Sequence, residues 1–304
     1  MIFFGRLPAM GRCKTRLAKT VGGETAKELY RLCCERVLNA FFFTINDVNA
    51  KGEHACDLTF SCEDARDVDE VKAWVMSTKA DANNNTHADD MKKKSRINVD
   101  VTAQSQATKN LGDRLICAMN NECVKNYDVV AVVGTDYPNA NAEVLLLVCT
   151  KIMEEEDDRA VAFGEAQDGG FWFVATTNEL PTNAFDGVRW STEYARKDAL
   201  RSIEKCGFKT LNSGKENGAA TLHDIDTAED LVRWAKEELW MIECTNEKAM
   251  YRIKSATKSN SPSIEYEDPF ENLVVEVLVT RLQRFVVEEN QELNRPMYYL
   301  ERNV

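Results

Sequence analysis

The sequence lacks the features that would mark a membrane or secreted protein. It contains no run of about 18 apolar residues, the length that a helix needs to cross a bilayer, and its N-terminus shows no signal-peptide pattern. Its ten cysteines include no C-x-x-C pair. Structural zinc is therefore not expected, and the thiols are predicted to be reduced and mostly buried. We expect a cytoplasmic protein that has no membrane partner.

The sequence also has fewer basic than acidic residues. The chain has 38 Lys and Arg residues against 50 Asp and Glu residues, which gives a net charge of -12. Proteins that bind nucleic acids usually have the opposite sign, so no nucleic-acid partner is expected. The P-loop pattern is absent as well, since no glycine precedes Lys14 and Gly5 and Gly11 are spaced wrongly for it. A small anionic substrate would need local positive charge or a metal ion.

The chain does contain enough apolar sequence for a core. Its 304 residues are 44% hydrophobic, which suits one large domain or two modest ones. Short runs rich in β-branched residues alternate with amphipathic stretches, a pattern that predicts an α/β fold. The predicted strands are residues 1–4, 57–62, 97–101, 129–133, 159–163, 171–175 and 208–211. The predicted helices are residues 24–42, 68–76, a helix ending near 127, 143–153, 193–206 and about 228–242.

The segment from Val129 to Pro138 is predicted to be the centre of a mostly parallel sheet. Its short Val-rich run is typical of a strand buried on both faces. Asp136 follows two residues after Gly134, just past the carboxyl end of that strand, where open α/β sheets bind ligands. The alternative is that Asp136 is only a turn residue, or the N-cap of the helix that begins near Ala142.

Residues 5–17 form a basic loop directly after the first predicted strand. Four cations fall within eleven residues of an otherwise acidic chain: Arg6, Arg12, Lys14 and Arg16. Gly5 and Gly11 would let the backbone approach a ligand, and Lys and Arg side chains are donors suited to phosphate oxygens. We expect an anion site, with a solvated basic loop as the alternative.

Further carboxylates occur near other predicted strand ends. Asp168 precedes two glycines, which predicts a hairpin turn or a carboxylate held close to a ligand. Asp224 and Asp226 would face the same way in an extended segment. Thr227 is a natural N-cap, and Asp230 suits the first turn of the following helix. Together with Asp136, the 224/226 pair would make an oxygen-rich site for Mg²⁺ or Mn²⁺.

Two segments differ in composition from the rest. Residues 77–96 are polar and are predicted to be a disordered surface insertion. Residues after 245 are mixed and polar until Asp268-Pro269, which predicts the start of a helix that runs to about Glu289. This helix would pack on the main domain or on a partner, although its β-branched content also allows a strand.

Six motifs occur in one order over residues 1 to about 243. They are P-x-x-G-x-x-K-T-R-L at 8–17 with A-x-x-L-Y at 26–30, Q-A-T-K-N-L-G-D-R at 106–114, G-T-D-Y-P at 134–138, D-G-G-F-W at 168–172, W-S-T at 190–192 and D-I-D-T-A-E-D-L at 224–231. In these motifs the sequence resembles the GT-A-fold nucleotide-diphospho-sugar transferase superfamily. Within it, the sequence is similar to the radical-SAM/selenodomain-associated transferase 1 family, also labelled arsenosugar-biosynthesis glycosyltransferases.

The resemblance implies a three-layer α/β/α, Rossmann-like GT-A domain over residues 1–243, followed by a C-terminal extension, 244–304, with a helix near 269–289. It implies a metal-dependent transferase that moves a glycosyl or nucleotidyl group from a nucleotide-sugar or NTP to a small acceptor. The extension is a candidate surface for homo-oligomer formation. The implied roles are metal binding by Asp136, Asp224 and Asp226, nucleotide and phosphate binding by Gly11, Lys14, Arg16 and Gly112, and catalysis by Asp136 and Asp168.

One motif departs from the family pattern. The family's Gly-x-Gly-Asp before Leu111 is replaced here by Ala107, Lys109 and Asn110. This change leaves open a catalytically idle nucleotide-binding or scaffold protein. The basic K-T-R-L segment resembles guanylyltransferases that act on small phospho-acids and favours nucleotidyl transfer, whereas the family label favours glycosyl transfer.

Overall fold

A computed structural model describes residues 1–52, 55–84, 97–108, 110–123, 125, 127–155, 159–212 and 221–234. Its contacts divide the chain into two compact units. The first unit comprises residues 1–13 and 33–225, and the second comprises 14–32 and 226–304. The predicted boundary at 243/244, the C-terminal extension and its helix near 269–289 lie outside the described residues.

Seven strands form one sheet in the first unit: β1 Ile2–Gly5, β2 Leu58–Cys62, β3 Val99–Ala103, β4 Val130–Gly134, β5 Ala160–Glu165, β6 Phe171–Thr176 and β7 Lys209–Asn212. Their order in the sheet is β3-β2-β1-β4-β6-β5-β7. All neighbouring strands are parallel except for β6, which runs antiparallel to both β4 and β5. This confirms the predicted α/β class with a mostly parallel sheet.

Strand β4 shows why the sheet is covered on both faces. The helices are α1 Thr15–Val21, in the second unit, and α2 Gly23–Lys51, α3 Val68–Asn84, α4 Leu111–Cys123, α5 Ala142–Met153 and α6 Ala195–Lys205. Val130 and Val132 pack into one apolar cluster, with residues of α4 and α6, while Ala131 and Val133 pack into the other, with residues of α2, α3 and α5. Side chains alternate along a strand, so an all-apolar strand requires a helix layer on each side. The first unit is therefore a three-layer α/β/α arrangement.

The helix ends differ from the predictions in three places. Helix α2 extends nine residues beyond the predicted end at Phe42, and Ile45 within that extension is fully buried in the core. Helix α3 continues to Asn84, so the predicted disorder was wrong for residues 77–84; residues 85–96 lie outside the described part. Helix α6 begins after Tyr194 and receives no side-chain cap, so the predicted cap at Ser191 or Thr192 was wrong. Among the described helices, none is long and apolar enough to span a membrane.

Candidate functional site

The carboxyl ends of the parallel strands define one edge of the sheet in the first unit. Because β6 is antiparallel to β4 and β5, the turn from β5 into β6 lies at that same edge. Asp136 follows β4 there, and Asp168 lies in the β5–β6 turn. The topology thus brings two of the predicted catalytic carboxylates to one side of the sheet.

Asp136 lies in a tightly fixed turn. The preceding Thr135 is buried, and its Oγ1 donates a hydrogen bond to the Phe4 carbonyl oxygen at 3.2 Å, which ties the end of β4 to β1. A Cβ on Gly134 would come within 2.9 Å of the Tyr137 ring, so this position needs glycine for close packing. The N-cap of α5 is Asn141, whose Oδ1 accepts from the Val144 N–H at 3.1 Å. The N-cap alternative for Asp136 was therefore wrong.

Asp224 reaches the same edge through a short extension of the sheet. Leu222 forms a parallel bridge with Ala166, just past the end of β5. The Leu222 N–H donates to the Glu165 carbonyl oxygen at 3.1 Å, and the Leu222 carbonyl oxygen accepts from the Gln167 N–H at 2.9 Å. One carboxylate oxygen of Asp224 lies within 4.8 Å of one of Asp136, and both residues are half-buried. Two carboxylates this close repel each other, and a divalent cation between them would relieve that repulsion.

In the second unit, Asp226 pairs with Lys14. The Lys14 Nζ lies 2.6 Å from Asp226 Oδ1, and the Lys14 side chain is only 6% exposed, against 41% for that of Asp226. Lys14 adopts a left-handed backbone conformation, with φ 44° and ψ 47°. Such a conformation costs an ordinary residue about 1–2 kcal/mol, so the surrounding contacts must enforce it.

The turn that carries Asp226 is held by Asp230. Its Oδ2 accepts from the Asp226 N–H at 3.2 Å, from the Thr227 N–H at 2.8 Å and from the Thr227 hydroxyl at 2.7 Å. The Thr227 hydroxyl oxygen accepts from the Asp230 N–H at 3.2 Å in return, and residues 228–234 are helical. This reciprocal pair is a capping box, which confirms Thr227 as N-cap and the structural role predicted for Asp230.

The four cations of the basic loop differ in their partners. In the first unit, Arg6 Nε lies 3.2 Å from Glu63, and Arg12 Nη2 lies 2.5 Å from Asp67. These two cations are neutralised by carboxylates that follow β2, so the predicted anion site depends on Arg16 and on Lys14, which is itself paired with Asp226. Arg16 is an exposed residue of α1. Gly11 has φ +76° and open space around it, a conformation that favours glycine.

Gly112 is explained by packing. A Cβ there would lie 2.7 Å from Phe185 Cβ and 3.1 Å from the Trp190 ring. Its N–H donates to Asn110 Oδ1 at 2.9 Å, and that bond caps the first turn of α4. Asn110 thus supplies the acceptor at the start of this helix. A role of Gly112 in nucleotide binding stays a prediction.

Asp168 lies in the hairpin turn that the D-G-G sequence predicted. Its Oδ1 accepts from the Gly170 N–H at 2.8 Å, and the side chain is exposed. Gly169 has φ +83°, and a Cβ there would lie 2.1 Å from the Glu193 carbonyl oxygen. The Gly169 carbonyl oxygen also accepts from the Arg196 N–H at 3.0 Å. The turn is therefore fixed against the loop that follows the W-S-T motif.

A polar network at the ends of β2 and β3 was missed from the sequence. Gln104 is buried, and its Oε1 accepts from Arg114 Nη1 at 3.0 Å. Arg114 also lies 3.5 Å from Glu63. Its Nε is buried and has no hydrogen-bond partner in the part of the chain that the structure describes. Arg114 belongs to the L-G-D-R motif, which was the only sequence signal for this network.

The cysteines do not suggest thiol chemistry. All nine cysteines within the described ranges are free. Burial raises the pKa of the Cys149 thiol to about 12 and that of the Cys123 thiol to about 11. Because the thiolate is the reactive form, these two side chains are inert at neutral pH.

The chain is similar to one protein family and to several solved structures. A family model for an uncharacterized protein conserved in bacteria (DUF2064) matches residues 62–192. None of the curated proteins compared with the chain matches it. The chain is similar to a cytidylyltransferase from Leptospira borgpetersenii serovar Hardjo-bovis, with 14% identity, 98% coverage of both chains and a TM-score of 0.42, a similarity too low to bear on the fold.

A stronger similarity links the chain to a solved structure from Desulfovibrio desulfuricans G20, named as a nucleotide-diphospho-sugar transferase. The identity is 21% and the TM-score 0.58, over 93% of this chain and 96% of that one. At 21% identity, this similarity shows a shared fold and nothing about activity. The chain has the Rossmann-like fold of that nucleotide-diphospho-sugar transferase.

Proposed function

We propose that this protein is a metal-dependent transferase that moves a glycosyl or nucleotidyl group from a nucleotide-sugar or NTP to a small acceptor. The observation that carries the proposal is the approach of Asp136 and Asp224 to within 4.8 Å at the ligand-binding edge of the sheet. Membership of the radical-SAM/selenodomain-associated transferase 1 family is part of the proposal. Its support is the order of the six sequence motifs.

Asp136 and Asp224 would hold the Mg²⁺ or Mn²⁺ ion, with Asp226, two residues further along the chain, as the third ligand. The donor set fits these ions, because carboxylate oxygens are the hard ligands that they prefer. When bound, the ion would neutralise charge on the phosphate oxygens and stabilise the leaving phosphate.

The other side chains would position the substrates. Lys14 and Arg16 would donate to phosphate oxygens, and Gly11 would let the backbone approach them, with Gly112 near the nucleotide. Asp168, exposed in its fixed turn, would orient the acceptor or act as a base. Catalysis would thus consist of positioning and electrostatic stabilisation.

The remaining predictions concern partners and location. The net charge of -12 supports a protein that binds small molecules rather than nucleic acid. The free thiols among the described residues support a reducing, cytoplasmic location. Homo-oligomer formation through residues 244–304 stays a prediction, as those residues lie outside the described part.

A thermal-shift panel tests the proposed function. The protein is heated with NTPs and with nucleotide-sugars, with and without Mg²⁺ or Mn²⁺. Stabilisation by NTPs alone would indicate nucleotidyl transfer, and stabilisation by nucleotide-sugars alone would indicate glycosyl transfer. Binding that is independent of metal, or no binding, would contradict the catalytic proposal; the first result would favour an idle nucleotide-binding protein.

Asp136→Ala should abolish the metal-dependent shift, because it removes a ligand that β4 fixes in place. Asp128→Ala is the matched control, since Asp128 is exposed and lies at the other end of β4. A metal-dependent shift that survives in Asp136→Ala would disprove the ligand role.

A further inference from the structure

The Lys14–Asp226 pair in the second unit has an unusual distribution of burial. The ammonium group is almost fully buried, with 6% of the side chain exposed, whereas its carboxylate partner is 41% exposed. At 2.6 Å, the contact is a charge-assisted hydrogen bond of the shorter kind. The exposed face of Asp226 therefore remains open to a second cation from solvent, while the first cation already satisfies one of its oxygens.

Asp226 itself has little freedom to leave this position. Its N–H donates to Asp230 Oδ2 at 3.2 Å, and the next residue donates twice more to the same oxygen. Asp230 is held in turn by Arg233 Nη2 at 2.5 Å from its Oδ1. Both carboxylate oxygens of Asp230 are therefore engaged, and they fix the turn that carries Asp226. An exchange of cations at Asp226 would have to proceed by movement of Lys14.

Lys14 is the residue of the Lys14–Asp226 pair that can change its position. Its left-handed conformation, φ 44° and ψ 47°, stores backbone strain that a change of conformation would release. The chain leading to it contains Gly11, which has φ +76° and no neighbouring atom where a Cβ would be. Its long flexible stem can also redirect the ammonium without a change in the rest of the loop.

We infer that Lys14 and the divalent cation compete for Asp226, so that the metal enters together with a phosphate-bearing substrate and not before it. In the resting protein the Lys14 ammonium neutralises Asp226 and disfavours a nearby divalent cation through like-charge repulsion. A phosphate group would attract the ammonium and release the Asp226 oxygen for the metal. This inference rests on the proposed function, because it assumes that Asp226 is a metal ligand.

Mn²⁺ binding to the full chain, measured by electron paramagnetic resonance without nucleotide, tests the competition. Lys14→Met keeps an unbranched, flexible apolar side chain and removes the ammonium charge, so it should bind Mn²⁺ roughly tenfold more tightly or better than the unmodified protein. Lys14→Gln, which retains a hydrogen-bond donor, should show the same gain. Lys19→Met is the matched control, because exposed Lys19 lies on α1; screening should limit its effect to about twofold.

Two further measurements make the result specific. In the Asp226→Asn background, Lys14→Met should produce no gain, because the group for which the two cations compete is gone. At constant ionic strength, sulfate, a tetrahedral dianion that mimics phosphate, should tighten Mn²⁺ binding to the unmodified protein and not to Lys14→Met.

The outcomes separate the inference from the proposed function. Equal or weaker Mn²⁺ binding by both neutral variants would overturn the competition and leave the metal site intact. A gain that persists with Asp226→Asn would also overturn it, because Lys14 would then act on another group. If no variant with Asp226 binds Mn²⁺, the metal site itself fails, and the inference fails with it.

Discussion

Arg12 and Lys14 lie two residues apart in one basic loop, yet their ion pairs are built in opposite ways. Arg12 is 45% exposed and neutralises Asp67, whose side chain is only 11% exposed. Lys14 is 6% exposed and neutralises Asp226, which is 41% exposed. In the first pair the buried charge is the carboxylate, and in the second it is the cation. The first arrangement stabilises the fold, whereas the second leaves a carboxylate within reach of solvent cations.

The comparison predicts that Arg12 matters more for stability than Lys14. Arg12 Nη1 and Nη2 both contact Asp67, at 3.1 and 2.5 Å. Arg12→Met would leave a buried carboxylate without this bidentate partner, and we expect a loss of about 3 kcal/mol in the free energy of unfolding. Urea denaturation at pH 7 measures it.

Arg66→Met is the control for that measurement. Arg66 also contacts an aspartate, Asp64, but its own side chain is 85% exposed. Exposed pairs contribute little to stability, so the loss should be much smaller than that of Arg12→Met. If Arg12→Met lowered the free energy of unfolding no more than Arg66→Met does, Arg12 would not be a structural cation. Its proposed difference from Lys14 would then be contradicted.

Lys14→Met should cost less than about 1 kcal/mol in the same assay. The Met side chain occupies a similar apolar volume, and replacing a buried charge by a hydrophobic residue is often neutral. Its partner Asp226 is 41% exposed and can be hydrated when the ammonium is gone. A loss as large as that of Arg12→Met would show that Lys14 mainly supports the fold, which would weaken its proposed role at the phosphates.

Much of the fold followed from the sequence because its strands are continuous apolar runs. The Val-rich run that ends at Gly134 predicted the central strand β4, since a strand with apolar side chains on both faces must be covered on both faces. The end of that run also predicted the position of Asp136 at the edge of the sheet. The end of α2 was missed because residues after Phe42 are mostly polar. Long-range packing of Ile45, which the local pattern does not reveal, extends that helix.

The candidate site was less accessible to sequence reasoning. Asp136 and Asp224 are 88 residues apart, and their approach depends on the bridge between Leu222 and Ala166, a single pairing outside the regular strands. The pairing of Arg12 with Asp67 spans 55 residues and could not be read from the charge of the loop alone. The sequence patterns identified the charged residues of the candidate site and of the basic loop. Which of these charges neutralise each other depends on tertiary contacts that the patterns do not reveal.

The last prediction concerns the turn that carries Asp226. Burial opposes ionisation of Asp230, but hydrogen bonds from Thr227 and from the Asp226 N–H outweigh it and lower the pKa of this carboxyl. Its charged form is therefore favoured in the folded state. The stabilisation is present above the ordinary aspartate pKa of about 3.9, and it is lost as the pH falls through the lowered value.

Asp230→Asn should accordingly cost about 1 kcal/mol at pH 7, the usual range for a helix cap, and the difference from the unmodified protein should shrink as the pH falls below about 4. Urea denaturation at several pH values between 7 and 3 measures this trend. A difference that stayed constant with pH would mean that the Asp230 charge does not hold the turn. Asp226 could then move together with Lys14. The difference between the Arg12–Asp67 pair and the Lys14–Asp226 pair would in that case involve the whole turn that carries Asp226, and not Lys14 alone.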